Sequence, residues 1–170
     1  MFGRDRRGGD PGHSLPLETA RPMIDPSSHE PQAGTEGLLL DHVGVATESI
    51  RASAASFQLL SGAPCSQVEE VPGQKVRVAF VGTVELLEPT DPEGPVGRFL
   101  QRRGPGLHHI AYGVADIEAK LEELRSRQVP LVDEDPRTGA GGHRVAFLHP
   151  RAAGGVLVEL VERPISSPHR

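Results

Sequence analysis

A chain of 170 residues suffices for one ordinary domain or two small fused modules. Its formal net charge of −5 lends no support to nucleic-acid or anionic-membrane binding, and no apolar stretch reaches membrane-spanning length. Cys65 is the single cysteine, which excludes a disulfide framework and a cysteine-built zinc site and fits a cytoplasmic protein.

Residues 1–37 hold Arg4-Asp5-Arg6-Arg7-Gly8-Gly9, several prolines and almost no aliphatic periodicity. Such a composition buries too little surface to offset ordering entropy, so a disordered tail is expected. The tail carries no signal-peptide-like run, and Asp5, Asp10, Glu18 and Asp25 argue against a transit peptide. Leu38-Leu39-Leu40 then opens an apolar strand through Ala46, and Thr47-Glu48-Ser49 starts a helix with Thr47 or Ser49 as its N-cap. Ile50, Ala54, Phe57 and Leu60 recur at helical spacing until Gly62-Ala63-Pro64. Strands are expected at 67–71, at 75–81, where Val76, Val78 and Phe80 alternate with Lys75, Arg77 and Ala79, and at 84–87 after a Gly82-Thr83 hairpin.

The turn-rich connector Glu88 to Pro95 leads to a short helix, 96–103, on which Arg98, Arg102 and Arg103 form a solvated basic face. A strand at 107–114 follows, then a helix at 117–125 with Asp116 at its cap. Strands around 130–134, 143–148 and 155–162 complete the pattern, with Gly139-Ala140-Gly141-Gly142 as its most flexible loop and 166–170 as a short tail.

This order is a duplication. Leu40 to Ile50 aligns without gaps on Leu107 to Ile117, an offset of 67 residues, and the same offset carries Arg77-Val78-Ala79-Phe80 onto Arg144-Val145-Ala146-Phe147. After an extra 7 residues, Val84-Glu85-Leu86 matches Val158-Glu159-Leu160. The fold class is therefore α+β, with β-α-β-β-β modules at 38–88 and 106–163 inside one domain spanning 38–165.

Alone, His42 in its apolar strand reads as a core histidine, but His109 occupies the same slot of the second copy. His108, the counterpart of Asp41, is expected on the opposite face from His109, in a structural or outward role. Glu85 and Glu159 are single carboxylates in aliphatic strands, and burying an unpaired carboxylate costs several kcal/mol or forces its protonation. Two at equivalent positions call for a shared partner, most simply a cation, unless both strands are edges with their glutamates in water. Glu88 and Glu162, three residues on, face the other way and are expected in solvent. Two imidazoles and two carboxylates suit Co, Mn, Ni, Fe or Zn. Such an ion polarises a carbonyl and favours proton abstraction beside it.

The Leu40-Asp41-His42-Val43-Gly44-Val45-Ala46 opening resembles the vicinal oxygen chelate superfamily, which implies a glyoxalase-like pair of half-barrels. Glu85 to Pro89, Gly106 to Ala111, Asp133 to Gly142, Phe147 to Pro150 and Gly155 to Leu160 are similar to methylmalonyl-CoA epimerases, over residues 39–163. The resemblance implies C2 epimerisation of methylmalonyl-CoA, an acyl-CoA of propionate metabolism, through a metal-stabilised enolate. It implies His42, Glu85, His109 and Glu159 as metal ligands, cobalt as the favoured ion, and a homodimer. Glu159 is then a base. The second base is unassigned, with Glu85 or water as its candidate, because Arg77 stands where some members carry glutamate and arginine keeps its proton. Gly141, Gly142 and Arg144 are implied as substrate contacts. The alternatives are a glyoxalase-type enzyme acting on a glutathione hemithioacetal, a non-catalytic small-molecule binder and a purely structural barrel. An extradiol dioxygenase fits less well, because it uses one carboxylate.

Overall fold

The computed structural model describes residues 38–163; the tails expected at 1–37 and 166–170 lie outside the described residues. In chain order the elements are β1 (Leu40–Ala46), α1 (Ile50–Ser61), β2 (Glu69–Val71), β3 (Val76–Val81), β4 (Val84–Pro89), α2 (Pro95–Arg103), β5 (Gly106–Val114), α3 (Ile117–Ser126), β6 (Arg137–Thr138), β7 (Arg144–Leu148) and β8 (Val158–Glu162). They build a single eight-stranded sheet in the order β2-β3-β4-β1-β5-β8-β7-β6. Each module runs its first strand parallel to its last, β1 with β4 and β5 with β8. The two modules join where β1 and β5 pair antiparallel at the centre. The duplicated β-α-β-β-β plan thus becomes one continuous mixed sheet rather than two separate ones.

Each crossover helix covers one outer half of the sheet. Ser49 caps α1 by accepting from the Ala52 amide, and Asp116 caps α3 by accepting from the Ala119 amide. Ile50 and Ala54 of α1 pack on Ala79, Val81 and Leu86, while Ile117 and Leu121 of α3 pack on Ala146, Leu148 and Leu160. Leu86 is fully buried. Leu86→Ala is expected to cost about 2–5 kcal/mol of unfolding free energy, read from the midpoint of a urea transition.

The duplication extends to a carboxylate at each helix start. Glu88 Oε2 accepts from the Ile50 amide at 2.8 Å, and Glu162 Oε1 accepts from the Ile117 amide at 3.1 Å. Arg77 pairs with Glu88, and Arg144 lies 3.6 Å from Glu162 while also pairing with Glu118. The expectation that Glu88 and Glu162 stand in water is therefore corrected. Each satisfies an otherwise orphan helix amide and complements the positive end of the helix dipole.

Other departures have local causes. No strand forms at 130–134: Pro130 has no amide to donate, only a Leu131–Leu148 bridge remains, and the Asp133 carboxylate takes the Phe147 amide. The short β6 at Arg137–Thr138 pairs with β7 instead. β8 starts at Val158 rather than 155 because Gly154 and Gly155, at φ 63° and 96°, close a turn after Pro150–Ala153. Leu60, expected in the buried stripe of α1, is 81% exposed, so that stripe ends at the partly buried Phe57. Among the described residues no helix is long and apolar enough to cross a membrane.

Candidate metal centre

Strand register alone brings four side chains to the middle of the sheet. Gly44 of β1 lies beside Glu85 of β4 and opposite His109 of β5; Ala111 of β5 lies beside Glu159 of β8 and opposite His42 of β1. Each histidine therefore faces a small residue of the other module. The fit at Gly44 is tight, since a Cβ there would sit 2.2 Å from Cε1 of His109.

His42, Glu85, His109 and Glu159 all converge, each no more than 6% exposed, with donor atoms within 4.8 Å of one another. His42 Nε2 lies 3.4 Å from Glu85 Oε2 and 3.2 Å from Glu159 Oε2; His109 Nε2 lies 3.5 and 3.1 Å from the same two atoms. The two Nε2 atoms are 3.2 Å apart. Phe80 and Phe147, equivalent in the repeat, pack edge-on against His42 and His109 respectively, with ring centroids 5.5 Å apart, and wall the cluster from the sides.

The four residues fit a divalent cation. Glu159 Oε2 is buried and makes no hydrogen bond, although both imidazole Nε2 atoms approach it. Donors about 2.1 Å from a common centre stand roughly 3.0–3.4 Å apart in tetrahedral or octahedral sets, close to the separations found. Mixed imidazole and carboxylate donors are also the chemistry such ions prefer.

Both rings are held from behind. At Asp41 in β1 and at His108 in β5 the pairing slips by one residue, so each is the extra residue of a bulge. The Asp41 carboxylate accepts from His42 Nδ1 at 2.8 Å, and His108 Nδ1 meets His109 Nδ1 at 3.0 Å. With Nδ1 occupied, each histidine presents Nε2 inward. Of the structural or outward role expected for His108, the contact fits the structural one, since the bulge turns its ring onto its neighbour rather than away from it. Asp41 in turn pairs with Arg163. Asp41, His108 and Arg163 were not legible as site residues; the one signal for the first two was their shared slot ahead of the duplicated histidines.

Electrostatics in the metal-free cluster follow from this packing. Burial opposes charge on His42, but its contacts with Asp41, Glu159 and Glu85 prevail and raise it from the ordinary 6.5 to about 11. His109 is raised too, its Glu159 and Glu85 contacts overcoming burial. Burial works against ionised Glu85, yet His109 and His42 lower it from 4.5 to about 2, and Glu159 is lowered in the same way. Burial and the nearby His109 push His108 down to about 4, so it stays a neutral acceptor. His42 therefore adds stability that is complete below pH 6.5 and lost as pH climbs towards 11. Glu85 adds stability that is complete above pH 4.5 and lost as pH falls towards 2. Urea melts of metal-free protein are expected to show greatest stability from this cluster between these limits, and a steady loss from pH 7 to 10 that His42→Gln flattens.

The remaining predicted site residues divide. Gly141 lines a cavity of about 600 Å³ beside the cluster, with Phe80, Glu69, His143 and Arg163 among its walls. Its amide donates to the Glu69 carboxylate at 2.9 Å, and the expected flexible loop is a tight turn at Ala140–Gly142. Gly142, at φ 73°, belongs to that turn and is not among the residues lining the cavity. Arg144 does not converge: β7 turns Val145 and Phe147 inward, and Arg144 pairs with Glu118 and Glu162 on the helix-covered face. Arg77, its repeat mate, is likewise turned to Glu88.

Residues 41–147 match the Glyoxalase/Bleomycin resistance protein/Dioxygenase superfamily. The human mitochondrial methylmalonyl-CoA epimerase is 36% identical over 126 residues, covering 71% of this chain and 72% of that protein. The chain belongs to the methylmalonyl-CoA epimerase family of this superfamily. It is thus an isomerase in a superfamily whose enzymes bind divalent metals. An uncharacterised protein of Bacillus subtilis is 42% identical over 127 residues, covering 72% of this chain and 91% of its own. A variant of the Streptomyces coelicolor methylmalonyl-CoA epimerase in complex with 2-nitronate-propionyl-CoA superposes with a TM-score of 0.71 at 33% identity, over 79% of this chain and 100% of that one.

Proposed function

We propose that the domain at 38–165 interconverts the C2 epimers of methylmalonyl-CoA by removing and returning the C2 proton. The observation that carries this reading is the closed set of four inward-facing donors around the unpartnered Glu159 Oε2. A divalent ion held by His42, Glu85, His109 and Glu159 would supply Lewis acidity toward the acyl-CoA carbonyl oxygens, with Co, Mn, Ni, Fe and Zn all chemically suited and cobalt favoured by the family resemblance.

The protein's own groups do the rest. Asp41 and His108 fix the two rings, so the donor set is organised before substrate arrives. Phe80, Phe147 and the surrounding strands keep water from the carboxylates, which strengthens every charge interaction inside. The cavity beside Phe80 and Gly141 has the size of a small-molecule site and takes the acyl head of the thioester. Glu159 takes the C2 proton on its carboxylate. Epimerisation needs a second proton carrier for the opposite face. β3 offers none, because Val76 and Val78 are apolar and Arg77 pairs with Glu88; Glu85, a carboxylate inside the cluster, takes that role. A homodimer and a place in propionate metabolism rest on the resemblance, and a cytoplasmic location on the lone Cys65.

In D2O, metal-loaded protein is expected to exchange the C2 proton of methylmalonyl-CoA for deuterium, followed by proton NMR, and to lose that activity on chelation. No exchange by loaded protein would sink this reading and make a glutathione hemithioacetal the next substrate to try.

A further inference from the structure

We propose that Arg163 is a positioning residue for His42, acting through Asp41. Its backbone is fixed just past the end of β8, where its amide donates to the Val114 carbonyl at 2.8 Å. Its guanidinium grips Asp41 with two parallel bonds, Nε to Oδ2 at 2.8 Å and Nη2 to Oδ1 at 2.9 Å. Oδ1 of the same carboxylate accepts from His42 Nδ1 at 2.8 Å. Nη1 contacts His143 Nε2, which ties the turn after β6 to the same fork.

A carboxylate on a single bond can rotate, and a histidine bonded to it rotates with it. A two-point guanidinium fork removes that freedom, because its planar geometry matches both oxygens at once. The burial makes the fork consequential. Asp41 is 8% exposed and His42 5% exposed, so without Arg163 the Asp41 charge would stand in the sheet with the His42 ring as its remaining side-chain partner. Arg163 itself is about one-third exposed, and its guanidinium can be changed without opening the core.

The duplication points the same way. Glu162 corresponds to Glu88, so Arg163 corresponds to Pro89, which has no donor to offer His108. The support behind His109 is a neutral ring, whereas the support behind His42 is an anion anchored by a cation 122 residues away in sequence. Arg163 is therefore an addition to the second module, not a remnant of the repeat.

The effect on ion affinity rests on the metal reading of the cluster; the orientation of His42 does not. The test compares wild type, Arg163→Met, Arg163→Lys, Asp41→Asn and the Arg163→Met/Asp41→Asn double variant, each checked for folding by circular dichroism. In metal-free protein, the imidazole proton–nitrogen NMR signal of His42 Nδ1–H is expected to shift and broaden in Arg163→Met and to recover in part in Arg163→Lys. Calorimetric titration with Co2+ is expected to weaken about 10–100-fold in Arg163→Met, the usual loss when the group behind a ligand is removed. In the Asp41→Asn background, Arg163→Met is expected to add nothing further. An unchanged His42 signal in Arg163→Met, or an equal loss with and without the Asp41 carboxylate, overturns the proposal. If wild type binds no Co2+, the metal reading fails while the His42 signal still decides the role of Arg163.

Discussion

Glu159→Gln is expected to slow C2 proton exchange on the methylmalonyl-CoA epimer whose proton Glu159 takes, and with it epimerisation, by about 10²–10⁴-fold, the contribution of a well-placed general base. Glutamine has the shape of glutamate and keeps one oxygen donor, but its amide does not accept a proton near neutral pH. The site explains why this one atom matters. Glu159 Oε2 is buried, unpartnered, and faces both Nε2 atoms at 3.1–3.2 Å. β8 lies between β5 and β7, so its backbone is paired on both sides and cannot shift to present another residue. The variant should fold and should keep part of its ion affinity, which metal analysis separates from the loss of exchange. Wild-type exchange of both epimers in Glu159→Gln would remove Glu159 from the proton path and leave Glu85 as the carrier.

Gly44→Ala is expected to break the cluster from outside its ligand set. The added methyl would begin 2.2 Å from His109 Cε1 and 2.5 Å from both ring nitrogens, well inside any tolerated contact. β1 cannot yield, because Gly44 is paired with Glu85 on one side and His109 on the other. The ring must therefore rotate away, giving up both its Nε2 position and its Nδ1 contact with His108. Ion affinity should fall by at least the ~10–100-fold seen when a ligand is misoriented. Stability should fall by about 1–3 kcal/mol, the range for overpacking a filled site. Co2+ calorimetry and urea melts read both. Wild-type affinity in Gly44→Ala would mean that the ring repacks without losing its place, and would undo the account of why a glycine stands there.

The four converging side chains were legible before any coordinates because the chain states its plan twice. A polar residue that recurs in the same slot of two apolar strands is hard to explain as two separate accidents of burial. The helix cap at Asp116 was legible for a simpler reason, since a cap is made within four residues, and the first helix uses Ser49, one of the two candidates Thr47 and Ser49. Arg144, named as a substrate contact from the family resemblance alone, shares with its repeat mate Arg77 a pairing to a helix-capping glutamate.

What the sequence by itself determined was the repeat and the alternation that sends His42, Glu85, His109 and Glu159 to one face. Both are consequences of local period, because a strand repeats every two residues and a duplication repeats its faces. Only the tertiary structure decided how β1 and β5 meet, and with it the bulges that bring Asp41 and His108 onto their neighbours. A bulge depends on pairing between strands far apart in the chain, so nothing in either strand announces it. Arg163 is the extreme case: its partner lies 122 residues away, and two charges that distant in sequence meet only once the sheet has closed between them.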